Sequence, residues 1–561
     1  MTDVVARMPV PAHPVLASPD VLVRDYADRM FARQDRALPP IAFSVDWNDQ
    51  PLRHTLRPGL PRRPLPSFAR CWSGKATLPI ALAGLSAPAR LPSLAELAAA
   101  LGTNSITGRR LGIDWNDDTF RRQAATGSTW SRPTPSGGGM YPVETYLVSQ
   151  GQGDLPRGVY HYDTAHHGLV RLSRADRCPE IEAATSTASE AYLIATLRLW
   201  KNSFKYNSFC YHVVCQDAGA LVCSWRLALG AQGIGSRPLL AFDQGRVSRA
   251  LNLDPRLEQP VVVLPVGPPI ETTGRGDGEH LGLSRNPLPV IEVSARPRSF
   301  AMVEHLVAAT HTPSPDLGRV AVPSPAIDEH RVPALAKRIN LPSGPTDRMS
   351  LRDAFLSRRS SFGRMSRARP MDLSSLAHML RACSEVAQAP IGPADASGEP
   401  RLRTWVIAQS VAGLPAGAYA YDWRRHDLVV AGPADLAALQ ARYALQNYST
   451  GQAAAMVVFS GRLDAMIEAH GAAGYRYLGI EVGQAAQAAY LSAAACGLGV
   501  GAVLGVDNLT VNDWLGLNDG DEQTMLFLFV GPERGAAAEY RGSLPATEQT
   551  RAVPASFNDR A

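Results

Sequence analysis

The feature that most limits what this chain can fold into is an internal repeat. Residues 211–268 align without a gap on residues 475–532 at a constant offset of 264, and 17 of the 58 positions are identical. Average composition would give roughly 7–8% identity, or about four matches. The shared positions include Tyr211/Tyr475, Gly219/Gly483, Gly233/Gly497, Gly235/Gly499, Asp243/Asp507 and Gly267-Pro268/Gly531-Pro532, and Asp217 stands opposite Glu481. Upstream, Leu155-Pro156-x-Gly158-x-Tyr160-x-Tyr162-Asp163 recurs as Leu414-Pro415-x-Gly417-x-Tyr419-x-Tyr421-Asp422, and Thr145–Val148 falls on Thr404–Ile407, both at offset 259. Leu94-x-x-Leu97 recurs as Leu373-x-x-Leu376 at offset 279. Three blocks in one order, differing only in loop length, mark a duplicated domain of about 200 residues.

Each copy predicts the same series of elements. An amphipathic helix (Ser93–Leu101; Leu373–Cys383) precedes a β-branched and aromatic strand (Thr145–Val148; Thr404–Ile407). A Pro-Gly turn leads into the alternating Tyr-x-Tyr-Asp strand. A long helix then ends at a glycine cluster (Gly233, Gly235; Gly497, Gly499), followed by an apolar strand closing on Gly-Pro. Helices and strands without strict βαβ alternation predict an α+β sandwich, present twice. The boundaries expected are a Pro-rich arm over 1–92, a first domain over 93–268, a connector over 269–347, a second domain over 348–545 and a tail over 546–561. The connector, with its Thr312-Pro313-Ser314-Pro315 and Val322-Pro323-Ser324-Pro325 runs, should extend over the surface and let the halves pack face to face. The long helix over 483–495 is almost free of bulky side chains. It reads either as one member of a helix pair between the halves or as an ordinary buried core helix.

Composition excludes several classes of function. Lys and Arg exceed Asp and Glu by only 56 to 51 in 561 residues, which predicts neither nucleic acid nor an anionic membrane as the main partner. The hydrophobic share of 45% supplies large cores, so wholesale disorder is excluded. Seven cysteines are scattered without a CxxC pair, which disfavours a disulfide framework and a zinc ribbon, and no metal site is expected. The first residues show no basic segment followed by an apolar run, and no stretch of about 18 apolar residues occurs. The expectation is a cytoplasmic protein with free thiols.

Three motifs can carry chemistry. Pro135-Ser136-Gly137-Gly138-Gly139-Met140-Tyr141-Pro142-Val143-Glu144 sets a backbone without Cβ atoms directly before a core strand, where it can approach a flat ligand and offer N–H groups. It is neither GxGxxG opening a helix nor a P-loop, and by itself it is equally a turn between strands. Arg358-Arg359-Ser360, at the end of a short apolar-periodic stretch, suits a phosphate monoester through bidentate bonds, or is a solvated basic patch. Lys205-Tyr206 precedes Tyr211 by a few residues and has no counterpart in the second copy, where Ala469 and His470 stand. Such a pair can move a proton, or be a surface lysine beside a packing tyrosine.

Together these motifs resemble a known family. Each copy is similar to the flavin-dependent nitroreductases, whose domain opens on Arg-Arg-Ser. The first copy resembles the SagB-type (microcin- or streptolysin-type) azoline dehydrogenases in its Pro-Ser-Gly-Gly-x-x-Tyr-Pro-x-Glu loop, its Lys205-Tyr206 pair and its Gly-x-Gly helix end. The arm adds Asp46-Trp47-Asn48-Asp49-Gln50-Pro51, similar to a segment upstream of that catalytic domain.

The resemblance implies FMN at a subunit interface. Arg358, Arg359 and Ser360 would hold the phosphate, with Arg541 beyond Gly531-Pro532. The same unit would contribute the loop over 502–506, including Leu504 and Gly505. The facing unit would lend Pro135, Ser136, Gly137, Gly138 and Gly139 against the flavin ring. Here the first copy has Phe68-Ala69-Arg70-Cys71-Trp72 where Arg-Arg-Ser is expected, and the second has Ser397-Gly398-Glu399-Pro400 in place of the Pro-Ser-Gly-Gly loop. The losses are complementary. The expectation is one FMN per chain, built by both halves, in a chain that is its own pseudo-dimer and can stand as a monomer.

By the same resemblance the reaction is oxidation of a thiazoline or oxazoline to a thiazole or oxazole on a peptide or carrier-bound intermediate, with Lys205 and Tyr206 transferring the proton. A cyclodehydratase is the partner such a reaction points to. Two other readings stay open: an NAD(P)H-dependent nitro or quinone reductase or another flavin-dependent desaturase on the same fold, and a scaffold whose flavin site has decayed.

Overall fold

The computed structural model describes residues 18–68, 71–72, 76–113, 115–116, 121–122, 129–270, 290–313, 337–343, 349–391, 401–445, 447–518, 520–534 and 538–543. The Ser397–Pro400 segment, the repeated Ser-Pro runs of the connector beyond Pro313 and the tail over 546–561 lie outside them, as do Ala69 and Arg70.

Each half is built on one antiparallel sheet. In the first the strand order is Arg62–Pro64, Gly168–Ser173, Gly158–Asp163, Val143–Ser149, Ala191–Leu197, Gln259–Val266. The second repeats it as Arg338–Asn340, Asp427–Gly432, Gly417–Asp422, Arg403–Ala408, Ala455–Arg462, Glu522–Gly531, and then adds Gly499–Val503 at its edge. The central strands are buried along almost their whole length, because helices pack on both faces: Cys210–Gly230 or Ala473–Ala495 on one, and Cys178–Thr185 with Gln244–Ala250, or Asn508–Trp514, on the other. The predicted α+β sandwich is therefore present twice.

The added edge strand is where the copies part. In the second half Gly499–Val503 pairs with the closing strand over five residues, and Ser360 bridges in parallel to Val500. In the first half the matching chain after Gly235 makes a single bridge, Leu239 to Val263. Phe68 and Trp72, where an Arg-Arg-Ser is missing, are buried, and Trp72 packs on Phe355 with ring centroids 5.6 Å apart.

The halves meet through their longest helices, Cys210–Gly230 and Ala473–Ala495. The contact is backbone to backbone. A Cβ on Gly219 would fall on the carbonyl of Ile480, and one on Gly483 on the carbonyl of Gln216; on Gly479 it would lie 2.7 Å from the Cβ of Cys215. Polar ties flank the crossing: Arg226 Nη1 donates to Gln484 Oε1 at 2.9 Å, and Gln487 Nε2 to Ser224 Oγ at 2.9 Å. Of the two readings of the small-residue helix, the structure selects the pair between halves.

The arm and the described part of the connector are helical where they touch this seam. Pro19–Phe31, capped by Ser18, sets Tyr26 edge-on against Tyr475 at 5.6 Å, and Tyr26 OH donates to Ser208 O. Ala301–Ala309 buries Val303 and Leu306, so the connector is not extended throughout. A further strand, Ala538–Ser543, leaves the second half and pairs with Gly108–Ile113 of the first. All seven cysteines are unpaired, and no helix among the described residues is long and apolar enough to cross a membrane.

The seam makes a prediction about its glycines. Gly219→Ala must push two helix backbones apart and should cost about 3 kcal/mol or more. Gly233→Ala meets nothing within 4 Å and bears only the penalty of its positive φ (+70), about 1–2 kcal/mol. Thermal unfolding of the two variants should separate them clearly; an equal loss would show that the helix contact is not limiting.

Candidate functional site

The glycine turn is shaped by three residues at positive φ, Gly138 (65°), Gly139 (68°) and Tyr141 (53°). It is pinned from beneath by the long helix. Asp217 Oδ2 lies 2.6 Å from Ser136 Oγ, and its Oδ1 accepts the Gly137 N–H at 2.8 Å. Ser136 Oγ also accepts the Tyr141 N–H at 2.9 Å, and Asn202 Nδ2 donates to Gly137 O. Burial pushes the Asp217 carboxyl up to about 7, against the pull of Ser136 and Gly137.

The strand that follows begins at a second buried knot. Glu144 accepts from Lys201 Nζ at 2.5 Å and Thr55 Oγ1 at 2.6 Å, and its Oε2 lies 2.9 Å from His161 Nε2. Burial alone would raise this carboxyl, but Lys201 and His161 hold it well below the ordinary range.

Lys205 and Tyr206 end the short helix Trp200–Tyr206 and close onto the exposed tip of the turn. A Cβ at Gly138 would lie 2.5 Å from the Tyr206 hydroxyl and 2.9 Å from Lys205 Nζ, so only glycine fits there. The Lys205 ammonium sits 5.8 Å from the Trp47 ring centroid and 5.2 Å from that of Tyr206. Burial, with the Arg53 guanidinium second, lowers the Lys205 pKa; burial, with Asp217 second, raises that of Tyr206. Trp47 belongs to the arm segment Asp46–Pro51, which is held by the Asp49 carboxylate accepting the N–H groups of Ala295 and Arg296.

The second half reaches the same turn. Arg358 is buried; its Nε donates to Pro133 O at 2.7 Å and its Nη2 to Arg132 O at 3.1 Å, immediately ahead of Pro135. Its guanidinium stands 5.3 Å from the Tyr490 ring. Arg359 pairs with Glu533. Ser360 Oγ lies 3.1 Å from Tyr490 OH, which accepts the Ala502 N–H at 2.8 Å. Leu504 and Gly505 follow the edge strand. Their carbonyls accept from Arg33 and Gln34 of the arm, and Tyr443 and Leu445 fill the space beside Gly505. Arg541 has its backbone in the strand that crosses to the first half, opposite Arg110.

So the turn and the Lys-Tyr pair are in contact, and Arg358 is bonded to the chain leading into the turn. Ser360 and the loop after Val503 are joined through Tyr490. Two guanidiniums, a seryl hydroxyl and a phenol gather here, the donor types a phosphate monoester takes, with Arg358 bonded to two carbonyls and Arg359 to Glu533. A Cβ at Gly139 would meet, among the described residues beyond its chain neighbours, only Arg53 Nη1 at 4.0 Å, so there is open space beside that residue. Sequence reading missed Asn202, Tyr490, Glu533 and Arg33. Asp217 could have been found: it is a carboxylate in an apolar helix, matched by another at Glu481. That partner is tied instead to Arg401, Nε to Oε2 at 2.5 Å.

A model of the nitroreductase family matches residues 98–268 and again 356–531, more than half of the chain. The chain belongs to the nitroreductase family. Both nitroreductase segments contain the elements just described, one holding the glycine turn and the other the arginine pair. A solved structure of a nitroreductase from Anabaena variabilis shares the fold at TM-score 0.67 and 19% identity, over 91% of this chain and 99% of that one. Two curated proteins are similar over 24% of the chain each. The trifolitoxin-processing protein TfxB of Rhizobium leguminosarum bv. trifolii is 28% identical over 39% of its length. The microcin B17-processing protein McbC of Escherichia coli is 25% identical over 52% of its length. The chain thus spans about half or less of the curated relatives it matches.

The buried acid under the turn makes a pH prediction. Because the folded state raises the Asp217 pKa, its contribution is fully present below about pH 4 and is lost as pH rises through about 7. Asp217→Asn keeps both contacts, since its amide can donate to Ser136 Oγ and accept from Gly137 N–H. The melting temperature of this variant relative to the wild type should therefore rise between about pH 5 and pH 8. A constant difference across that range would contradict the assignment.

Proposed function

We propose that this chain is an FMN-dependent oxidoreductase that dehydrogenates thiazoline or oxazoline rings on a peptide or carrier-bound intermediate. The observation that carries the reading is the closure of Lys205 and Tyr206 onto Gly138, in a turn that Arg358 of the other half braces from behind. Similarity to two proteins named for processing trifolitoxin and microcin B17 supports a peptide substrate. Azolines arise by cyclodehydration of Cys, Ser or Thr side chains, so a cyclodehydratase is the partner the reaction calls for.

Arg358, Arg359 and Ser360 would hold the FMN phosphate, with Tyr490 positioning Ser360 and Arg541 as a further ligand. Pro135, Ser136 and Gly137–Gly139 would line the ring, and Leu504 and Gly505 would close it from the second half. When bound, FMN supplies the acceptor for the hydride leaving Cβ of the azoline. The protein's task is the proton on Cα. Lys205, whose pKa burial and the Arg53 guanidinium lower, is the base that would take it, and Tyr206 brings its phenol to the same place. Aromatisation of the ring provides the driving force. The pair is confined to the first half, which favours one site per chain.

Purified protein should carry about one FMN per chain, the number of complementary motif sets. Arg358→Ala and Arg359→Ala should lose flavin. Lys205→Ala and Tyr206→Phe should keep it while anaerobic bleaching by a thiazoline peptide slows by about 10²–10⁴-fold. Two flavins per chain would contradict the joint site. Bleaching by NAD(P)H but not by the azoline would favour the reductase reading.

A further inference from the structure

The arm contributes more than the Trp47 ring to the mouth of this site. Arg53 Nη1 lies 4.0 Å from the point where a Cβ of Gly139 would stand, and Lys205 Nζ lies 2.9 Å from the corresponding point of Gly138. Two basic side chains from different elements thus flank one two-residue turn. The Arg53 backbone is fixed: its carbonyl accepts from the buried Arg132 Nη2 at 2.7 Å, and two residues on Thr55 is tied to Glu144. The Arg53 guanidinium itself has no hydrogen-bond or ion-pair partner among the described residues. The carboxylates around the turn are committed elsewhere: Asp217 to Ser136 and Gly137, and Glu144 to Lys201, Thr55 and His161. Beside Arg53 the indole of Trp47, 49% exposed, gives a flat apolar wall that packs edge-on against Phe204 at 5.6 Å.

A half-buried guanidinium at the mouth of the turn, with no counter-ion among the described residues, keeps its donors open to an anionic ligand. We infer that Arg53 is a specificity determinant that binds a carboxylate on the substrate, next to the ring being oxidised, with Trp47 as the wall along that ring. The substrate class is therefore an azoline bearing an anionic neighbour, such as a free ring carboxylate or an acidic residue following the ring. A carboxylate seated there pairs with Arg53 through charge-assisted bonds and places the ring edge toward Lys205.

This inference rests on the azoline reading, and binding separates the two. The probes are 2-methylthiazole-4-carboxylate and its carboxamide, titrated into the flavin-loaded full chain by calorimetry. The wild type should bind the carboxylate about tenfold or more tightly than the amide, with a ratio that shrinks as salt is raised. Arg53→Gln should bind the two alike, and Arg53→Lys should retain part of the preference, since a point charge replaces a planar fork. Equal wild-type affinities, or an Arg53→Gln variant that keeps the preference, would overturn the proposal. If the preference holds while neither matching thiazoline bleaches the flavin, the anion subsite stands and the proposed reaction falls.

Discussion

Everything in this molecule is referred to one contact, the crossing of two helix backbones at Gly219, Gly479 and Gly483. Side chains of ordinary size would hold those axes at the usual 8–10 Å and leave the two sheets independent. Without them, the carbonyls of Gln216 and Ile480 come against the opposing glycines, and loops carried by one half reach the other. Arg358 can then bond the carbonyls of Arg132 and Pro133, and the strand over 538–543 can add to one over 108–113. A site assembled from both halves needs that fixed geometry, because a displacement of an ångström would separate the phosphate-type donors from the turn.

The duplication also lets the two related places diverge. The same helix position carries Asp217 in one copy and Glu481 in the other. The shorter acid holds an open glycine turn; the longer is consumed in a buried pair with Arg401. The edge strand Gly499–Val503 gives Ser360 something to lie against, while the first copy has one bridge and fills the matching region with Phe68 and Trp72. Each lost function is replaced by packing. A homodimer cannot do this, since any substitution there appears at both sites at once.

Much of the fold was legible because the repeat amplifies weak signals. The strands at Thr145–Val148 and Thr404–Ile407 extend by one or two residues at either end, and both long helices stop at the predicted glycines. The strands over 191–197 and 455–462, each paired on both sides inside its sheet, were not read, since a short continuous apolar run does not declare its period. In the site, the glycine turn and the two charged pairs announced themselves by residue type. Tyr490 did not, because a tyrosine in an alanine-rich helix looks like core; its role depends on a hydroxyl reaching Ala502 and Ser360, which only coordinates supply. Arg33 was hidden for the same reason. Its burial lowers its pKa to about 10, yet nothing in the arm's sequence says that its guanidinium meets the 504–508 loop.

That arm changes how the domain pair should be regarded. Residues 18–57 are not a leash but a third component laid across the seam. Tyr26 packs on Tyr475, Arg33 and Gln34 hold the loop after the edge strand, and Trp47 and Arg53 lean over Lys205. One continuous segment therefore touches the second half's loop and the first half's Lys205-Tyr206 pair in succession. A segment that fixes both walls of a cleft also fixes its width, and its own side chains become the surface that an incoming molecule meets. On this scaffold the two nitroreductase halves provide rigidity, while the arm supplies side chains at the mouth of the turn, where substitutions can alter that surface without disturbing either core.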